Sequence, residues 1–232
     1  IDGLSGNDII EGFGGDDTLI GGAGNDNIDG GEDNDSITGD QGSDTIVAGT
    51  GDDFVDGGTE SDSILGGDGD DTLIGGDGND TIGNNAAFDG DDSIEGGAGA
   101  DIIRDFYGVN TVSGGDDNDN FDVSGPSIDG GDGNDFIRIR PDFTSITQAN
   151  SYDATVTGGA GNDTITASSY SNSYSRDLTL DGGPGNDSIS GSSRTNGATE
   201  ILIGGDGNDT LRGSSGDDLM QGGADNDSLF GD

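Results

Sequence analysis

Residues 21–29 read GGAGNDNID, a nine-residue unit with the pattern Gly-Gly-x-Gly-x-Asp-x-(large apolar)-x. The unit recurs in register, for example as GGDGDDTLI at residues 66–74 and as GGDGNDTLR at residues 204–212. Unbroken nine-residue units run from Gly3 to Gly83, and further copies follow along the rest of the chain. Repetition at a fixed short period indicates a solenoid, in which each repeat packs mainly against its neighbours.

The composition of the chain is unusually acidic and rich in glycine. The 232 residues include 50 Gly, 49 acidic residues and 6 basic residues, which gives a formal net charge of −43. Such a composition would ordinarily indicate disorder, but the strict spacing of one large apolar residue in every nine favours an ordered fold. The charge disfavours nucleic acid and anionic membranes as partners and favours cations. The chain has no Cys and no His, so the usual nucleophilic and metal-hydrolytic sites cannot be assembled.

Each unit predicts a glycine-rich turn followed by a short strand. Glycine reaches positive φ angles without steric cost, which suits the first six residues to a turn. The last three residues form a strand whose apolar residue, such as Ile28 or Ile46, points inward. Two units make one coil of about eighteen residues, so alternate turns stack on opposite flanks of a flattened cylinder. The expected fold is therefore all-β, a right-handed parallel β-roll or β-helix solenoid.

The sixth-position aspartates fall on two flanks. The first flank carries Asp8, Asp26, Asp44, Asp62, Asp80, Asp101, Asp119, Asp135, Asp163, Asp187, Asp209 and Asp227. The second flank carries Asp17, Asp35, Asp53, Asp71 and Asp92, then Asn110, and its consensus is lost until Asp218. The fourth position departs from Gly at Asp33, Glu60, Asp117 and Asp225, where we expect left-handed backbone conformations and weakened sites.

The irregular segments all fall on the second flank. Alternating apolar residues precede the next Gly-Gly pair in these segments, as in Leu178 and Leu180. Period-two alternation predicts longer strands and a coil that widens between about residues 139 and 203. We divide the chain into a regular roll (1–104), an elaborated part of the same solenoid (105–203) and a second regular roll (204–232), all in one continuous repeat domain.

These repeats closely resemble the RTX family, whose hemolysin-type repeats occur in secreted bacterial toxins, proteases and surface proteins. The resemblance implies calcium ions between turns of successive coils, each ion bound by the sixth-position aspartates of both coils. Carried over to this sequence, it implies eleven sites from Asp8/Asp26 to Asp209/Asp227 and four from Asp17/Asp35 to Asp71/Asp92, on the order of fifteen ions. The implied ligands are therefore the seventeen aspartates named above on the two flanks, with Asn110 as a further, doubtful position and Asp218 left out.

Two other interpretations of the acidic residues are weaker. Isolated turn aspartates would be solvated, but they would not keep a nine-residue period over so many copies. A pair of carboxylates could also act as a glycosidase dyad, yet calcium binding explains all the copies at once. Without metal, aspartates stacked at the strand spacing of about 4.8 Å would repel one another. We therefore expect calcium binding and folding to be coupled and the chain not to be an enzyme.

Two functional hypotheses remain open. The first is a secreted structural module, a calcium-bound rod in a surface layer, an extracellular fibre or an adhesin. The second is the accessory calcium roll of a type I-secreted hydrolase or toxin whose catalytic domain lies outside this chain. In both hypotheses the protein is exported by type I secretion and is extracellular or on the cell surface. Since neither end carries a polar cap, we expect a piece of a longer chain or end-to-end stacking.

Aromatic and basic residues concentrate in the irregular second-flank segments. They are Tyr107, Tyr152, Tyr170, Tyr174, Arg140, Arg176, Arg194, Phe106 and Phe143. Tyr and Arg are enriched at interfaces, so the loops of residues 105–203 are candidates for binding a second copy or a cell-surface glycan. The alternative is that these side chains pack the widened coils and neutralise nearby carboxylates. No membrane insertion is expected.

Overall fold

The computed structural model of the protein describes residues 1–84, 90–140, 153–168, 177–193 and 199–231. These residues form strands and turns, and none of them belongs to a helix long and apolar enough to cross a membrane. The strands lie in two parallel sheets of 12 and 11 strands. The all-β solenoid predicted from the repeats is confirmed.

The strands that follow the first-flank turns form the 12-stranded sheet. They are β1 (Ile9–Gly14), β3 (Asn27–Glu32), β5 (Thr45–Thr50), β7 (Ser63–Asp68), β9 (Thr81–Asn84), β11 (Ile102–Asp105), β13 (Asn120–Val123), β15 (Phe136–Ile139), β17 (Thr164–Ala167), β19 (Ser188–Ser190), β21 (Thr210–Ser214) and β23 (Ser228–Gly231).

The strands that follow the second-flank turns form the 11-stranded sheet. They are β2 (Thr18–Ala23), β4 (Ser36–Gln41), β6 (Phe54–Thr59), β8 (Thr72–Asp77), β10 (Ser93–Ala98), β12 (Thr111–Asp116), β14 (Ser127–Asp132), β16 (Ala154–Ala160), β18 (Leu178–Pro184), β20 (Glu200–Asp206) and β22 (Leu219–Ala224).

The register of both sheets repeats once per coil, so equivalent residues of successive units lie side by side. Ile10 pairs with Ile28, and Ile28 pairs with Ile46. The inward apolar residues of both sheets from Ile10 to Leu211 are buried and form one continuous core, against which Met220 is partly buried. Each such side chain contributes on the order of 1.5–3 kcal/mol when it is fully buried. The single apolar residue of each nine-residue unit is thus the residue that joins the two sheets.

The fourth-position exceptions adopt the predicted left-handed backbone. Asp33, Glu60, Asp117 and Asp225 have φ angles of 74°, 73°, 78° and 73°. Their side chains add local hydrogen bonds in two cases: Asp33 Oδ2 accepts from the Gly15 N–H at 3.1 Å, and Glu60 Oε2 accepts from the Gly42 N–H at 2.9 Å. The turn conformation therefore survives the loss of glycine at this position.

The coil widens in the middle of the chain. In β13, β15 and β17 a second inward apolar residue follows the first, namely Val123, Ile139 and Ala167, and all three are buried. Leu178 and Leu180 are both buried on the facing sheet. The wider section thus already includes Val123, one coil before Ile139. The register is continuous through it, because the inserted residues lie between strands rather than within them.

Candidate metal sites in the turns

The sixth-position aspartates of the first flank form one hydrogen-bonded ladder. Each stands directly before a strand of the 12-stranded sheet, and its Oδ1 accepts from the backbone N–H of the aspartate one coil earlier. The N–H of Asp8 donates to Asp26 Oδ1 at 2.7 Å, and the N–H of Asp26 donates to Asp44 Oδ1 at 2.7 Å. The contact persists where loops lengthen the coil, as between Asp135 and Asp163, which are 28 residues apart. The ladder continues to Asp227.

The other carboxylate oxygen of the sixth-position aspartates, on both flanks, has a different environment. In fourteen of them Oδ2 is buried and has no hydrogen-bond partner among the described residues; these are Asp8, Asp26, Asp35, Asp44, Asp53, Asp62, Asp71, Asp80, Asp101, Asp119, Asp135, Asp163, Asp187 and Asp209. A buried anionic oxygen without a partner is strongly unfavourable. A repeated row of such oxygens therefore fits the binding of a row of cations.

Except in the unit of Asp53, each Oδ2 points into a small space beside the first glycine of its own unit. The place where a Cβ atom would stand on Gly57 lies 2.6 Å from Asp62 Oδ2 and 2.6 Å from the carbonyl oxygen of Gly75, one coil further on. The equivalent place at Gly21 lies 2.5 Å from Asp26 Oδ2 and 2.8 Å from the Gly39 carbonyl oxygen. Calcium ligands lie about 2.3–2.6 Å from the ion. A carboxylate oxygen and a carbonyl oxygen at this spacing fit calcium, so we name the space the oxygen cradle.

Backbone carbonyls must supply much of any coordination sphere. Among the residues that the structure describes, no three Asp, Glu, His or Cys side chains gather at one point. The turn carbonyls are close to the cradles because the glycines of successive coils stack on one another. Oxygen ligands of mixed carboxylate and carbonyl type suit calcium and do not suit zinc or copper.

Burial changes the titration of these carboxylates. It raises the pKa of Asp62, Asp71, Asp119 and Asp187 to about 7 and the pKa of Asp53, Asp101 and Asp135 to about 6. Repulsion from neighbouring carboxylates of the ladder adds to the effect of burial, and the hydrogen bond from the preceding backbone N–H opposes it. Without a cation the turns thus favour protonated carboxyl groups.

The second flank repeats this geometry in its N-terminal part. The N–H of Asp17 donates to Asp35 Oδ1 at 2.8 Å, and the N–H of Asp71 donates to Asp92 Oδ1 at 2.8 Å across 21 residues. The cradle next to Gly30 is lined by Asp35 Oδ2 and the carbonyl oxygen of Ala48. Asp92 is buried, whereas Asp17 is partly exposed, as Asp8 and Asp227 are on the first flank.

The unit of Asp53 carries a side chain at the place where Gly12, Gly30 and Gly66 stand in the neighbouring regular units of the second flank. Ala48 stands at the first position of the unit that contains Asp53, and it is fully buried. Its methyl group therefore occupies the place that forms the cradle in neighbouring units. The sequence pattern shows that alanine replaces glycine at this position. Only the geometry shows that the methyl group takes the place of the cradle that would face Asp53.

Asn110 closes its turn in a different way. Its Oδ1 accepts from the Asp92 N–H at 2.9 Å, as an aspartate would. Its Nδ2 donates to the carbonyl oxygen of Tyr107 and, at 3.4 Å, to that of Ser124. An amide N–H group thus satisfies two backbone carbonyl oxygens of this region. The arrangement argues against Asn110 as a metal ligand.

Beyond Asn110 the second flank exchanges oxygen for apolar packing. The strand register aligns Ala154, Leu178 and Glu200 with the sixth position. It also aligns Val123 and Ile139 with the first position, where regular units have glycine. An apolar side chain thus fills the cradle where the carboxylate is lost.

The last turns of the second flank return to acidic residues. Glu200 is buried, and its carboxylate accepts from the Ser192 N–H at 2.9 Å and from the Ser192 hydroxyl at 2.5 Å. Asp218 Oδ2 lies 2.7 Å from the Cβ place of Gly213, the arrangement seen at the other cradles. Asp218 is not among the ligands predicted from the sequence. Its place at the sixth position of its unit would have been enough to include it.

Three of the nine predicted recognition residues, Phe106, Tyr107 and Arg140, belong to the part of the chain that the structure describes. Arg140 binds the Asp122 carboxylate with Nε and, at 2.5 Å, with Nη2, and its guanidinium lies 4.8 Å from the Phe106 ring centroid. Tyr107 supplies its carbonyl oxygen to Asn110. These contacts agree with local packing and charge neutralisation. The remaining members, Tyr152, Tyr170, Tyr174, Arg176, Arg194 and Phe143, lie outside the described residues.

Comparison with protein families gives one match. The family model of the RTX calcium-binding nonapeptide repeat, which contains four copies of the repeat, matches residues 1–28, 11–46, 20–55, 47–82, 87–121, 127–138, 148–169, 179–193 and 195–232. These segments cover more than half of the chain and include the cradles of both flanks. No curated protein sequence matches the chain.

Proposed function

Because the chain belongs to the family of RTX calcium-binding nonapeptide repeat proteins, we propose that it is a secreted structural module that folds when calcium binds to its turns. The observation that carries this proposal is the row of buried Oδ2 atoms without a hydrogen-bond partner, which in all units but that of Asp53 are directed into an oxygen cradle. A bound calcium ion would supply the positive charge that these oxygens lack. Metal binding and folding are then one process.

The proposed calcium ligands are the sixth-position aspartates of both flanks together with turn carbonyls. The aspartates are Asp8, Asp26, Asp44, Asp62, Asp80, Asp101, Asp119, Asp135, Asp163, Asp187, Asp209 and Asp227 on the first flank, and Asp17, Asp35, Asp53, Asp71 and Asp92 on the second. Oδ1 would hold the adjacent coil through its N–H, and Oδ2 would bind the ion. We propose that the first flank binds calcium along the whole solenoid and the second mainly in its N-terminal part.

The proposed role is a rigid rod in a surface layer, an extracellular fibre or an adhesin. The continuous pairing of all strands in two sheets supports this role, since a single repeat domain with one core resists bending. Residues 1–104 and 204–232 would act as regular rolls, and residues 105–203 would present the elaborated flank to partners. Export before folding follows from the same coupling, because a calcium-poor cytoplasm would leave the chain unfolded.

Calcium titration of the purified chain tests the proposal. Circular dichroism should show a disordered chain in chelator at neutral pH and a cooperative gain of β-sheet as calcium is added, with magnesium much less effective.

Asp62→Asn with Asp80→Asn should reduce the number of ions bound in calorimetry, since the amide keeps the Oδ1 contact and removes the anionic oxygen. The matched control, Asp29→Asn, removes an exposed carboxylate of the same strand set and should leave the ion count unchanged. A chelated chain that keeps its β-sheet signal at neutral pH would overturn the proposal.

A further inference from the structure

The outward side chains of the 12-stranded sheet form a basic strip in the C-terminal part of this acidic chain. We call the outward residues of β11 to β21 the arginine face; they are Ile102, Arg104, Asn120, Asp122, Phe136, Arg138, Thr164, Thr166, Ser188, Ser190, Thr210 and Arg212. The strip contains three arginines and a single carboxylate. Since the whole chain has only six basic residues, this is a strong local enrichment.

The one carboxylate of the arginine face is already neutralised. Asp122 is bound by Arg140 through two guanidinium nitrogens, and its side chain is only 16% exposed. Arg138 lies 3.9 Å from Asp122 Oδ2 but remains 47% exposed, so this pair is weak. The guanidinium of Arg138 also lies 5.6 Å from the Phe136 ring centroid. Arg104 is exposed and forms no ion pair with any residue the structure describes. Positive charge therefore remains available on this face.

The outward side of the 11-stranded sheet has the opposite character. At the outward position directly after the inward apolar residue, carboxylates stand on every second strand, with Asp56 on β6, Glu95 on β10, Asp129 on β14 and Asp181 on β18. None of the outward residues of β2 to β22 is basic. We call the four carboxylates the acidic face. A shallow groove of about 690 Å³ lies at its N-terminal end and is lined by Asp40, Asp56 and Asp77, among other residues.

The two faces match in spacing as well as in charge. Arg104 on β11 and Arg138 on β15 are two strands apart in their sheet, and the carboxylates of the acidic face are also two strands apart in theirs. Neighbouring strands lie about 4.8 Å apart, so Arg104 and Arg138 stand about 9.6 Å apart, as do adjacent carboxylates of the acidic face. Arg212 on β21 lies three strands beyond Arg138. We propose that the arginine face of one copy binds the acidic face of a second copy, side by side. This proposal rests on the structural role proposed above, in which each module must contact its neighbours.

The geometry of such a contact predicts an open assembly. The two faces are different surfaces of the chain, so a bound pair still presents one unused arginine face on one copy and one unused acidic face on the other. Heterologous contacts of this kind continue into filaments or layers unless a rotation closes them. The formal charge of −43 would keep metal-free copies apart. Calcium lowers that charge and forms the sheets, so lateral association should require calcium.

Sedimentation velocity of the full chain in calcium tests the contact. The native chain should associate with rising concentration and dissociate at high ionic strength, since exposed charges are screened by salt. Arg104→Glu with Arg138→Glu, and separately Glu95→Arg with Asp129→Arg, should each weaken association by about tenfold or more, because like charges would face each other. An equimolar mixture of the two variants should recover it, because their altered faces are complementary. Circular dichroism in calcium confirms that each variant is folded.

A control variant separates position from net charge. Glu11→Arg with Asp29→Arg adds the same charge as the acidic-face variant, but on exposed residues of β1 and β3 outside both faces, and should associate as the native chain does. If a charge-reversed variant fails to fold, Arg104→Gln with Arg138→Gln replaces it, with association again expected to weaken. A native chain that folds in calcium but stays monomeric at low ionic strength would overturn the lateral contact alone. Loss of calcium-dependent folding itself would instead count against the proposed function.

Discussion

Asp92 donates its backbone N–H to Oδ1 of Asn110 at 2.9 Å, the same contact that aspartates make elsewhere in the ladders. The difference lies at the other end of the Asn110 side chain, where Nδ2 donates to the carbonyl oxygens of Tyr107 and Ser124. A neutral N–H donor thus satisfies these two carbonyl oxygens from within the chain. The second flank can therefore continue past this turn without metal.

Replacing Asn110 with Asp should make folding more dependent on calcium. The carboxylate would keep the contact with Asp92 but would face the Tyr107 and Ser124 carbonyls without a proton to donate, which costs about 1–3 kcal/mol when the group is buried. The calcium concentration at half-folding, followed by circular dichroism, should therefore rise. Asn118→Asp adds the same charge at an exposed position and should shift the midpoint much less. Equal shifts in both variants would contradict the role assigned to the amide.

The oxygen cradle makes opposite predictions for two small substitutions. Gly57→Ala should weaken calcium binding, because its Cβ would stand 2.6 Å from both Asp62 Oδ2 and the Gly75 carbonyl oxygen. Ala48→Gly should strengthen calcium binding beside Asp53, although glycine in a strand ordinarily destabilises by about 0.5–1 kcal/mol relative to alanine. Isothermal titration calorimetry measures both effects. If the cradle has no role, Ala48→Gly should instead weaken binding through the flexibility of the unfolded chain.

Acid should partly replace calcium in the chelated chain. Burial raises the pKa of Asp62 and Asp187 to about 7 in the folded state, above the value of about 3.9 for an unfolded chain. Between these two values the folded state binds more protons than the unfolded state, so the free energy of unfolding increases as the pH falls. With saturating calcium the direction reverses, because protons compete with the ion for the same oxygens.

Circular dichroism in chelator at about pH 8 and about pH 5 checks the pH dependence, since the lower value lies between the two pKa limits and above the isoelectric point of about 4.1. The β-sheet signal of the dilute chelated chain should be larger at the lower pH. Asp62→Asn with Asp187→Asn should reduce the difference, because these residues would no longer titrate. A chelated chain with the same signal at both values would contradict the role of the buried carboxyl groups.

Much of this architecture was predictable from the nine-residue period. The inward position of Ile28, the order of the two sheets and the flank of each aspartate follow from counting, because the register repeats once per coil. The contacts that distinguish one turn from another were not predictable. Packing between residues of successive coils decides whether Asn110 turns its oxygen or its nitrogen to the next coil. The same packing places the Ala48 methyl group in a cradle. The cradle itself consists partly of backbone carbonyls, which sequence patterns do not display.

The apolar replacement on the second flank should stabilise the solenoid independently of calcium. Ile139 is 3% exposed and pairs in register with Val123 and Ala167, at the position where regular units have glycine. Ile139→Ala should lower the free energy of unfolding by about 2–5 kcal/mol through lost burial and a cavity. Asp135→Asn on the first flank of the same region is the matched comparison, since it removes a proposed calcium ligand and leaves the core unchanged. Denaturant unfolding at several calcium concentrations measures both the stability and the number of ions released. Ile139→Ala should lower the stability by the same amount at every calcium concentration, whereas Asp135→Asn should reduce the dependence of the stability on calcium. If the Ile139→Ala chain instead releases fewer ions on unfolding, the packing of Ile139 against Val123 and Ala167 supports metal binding after all.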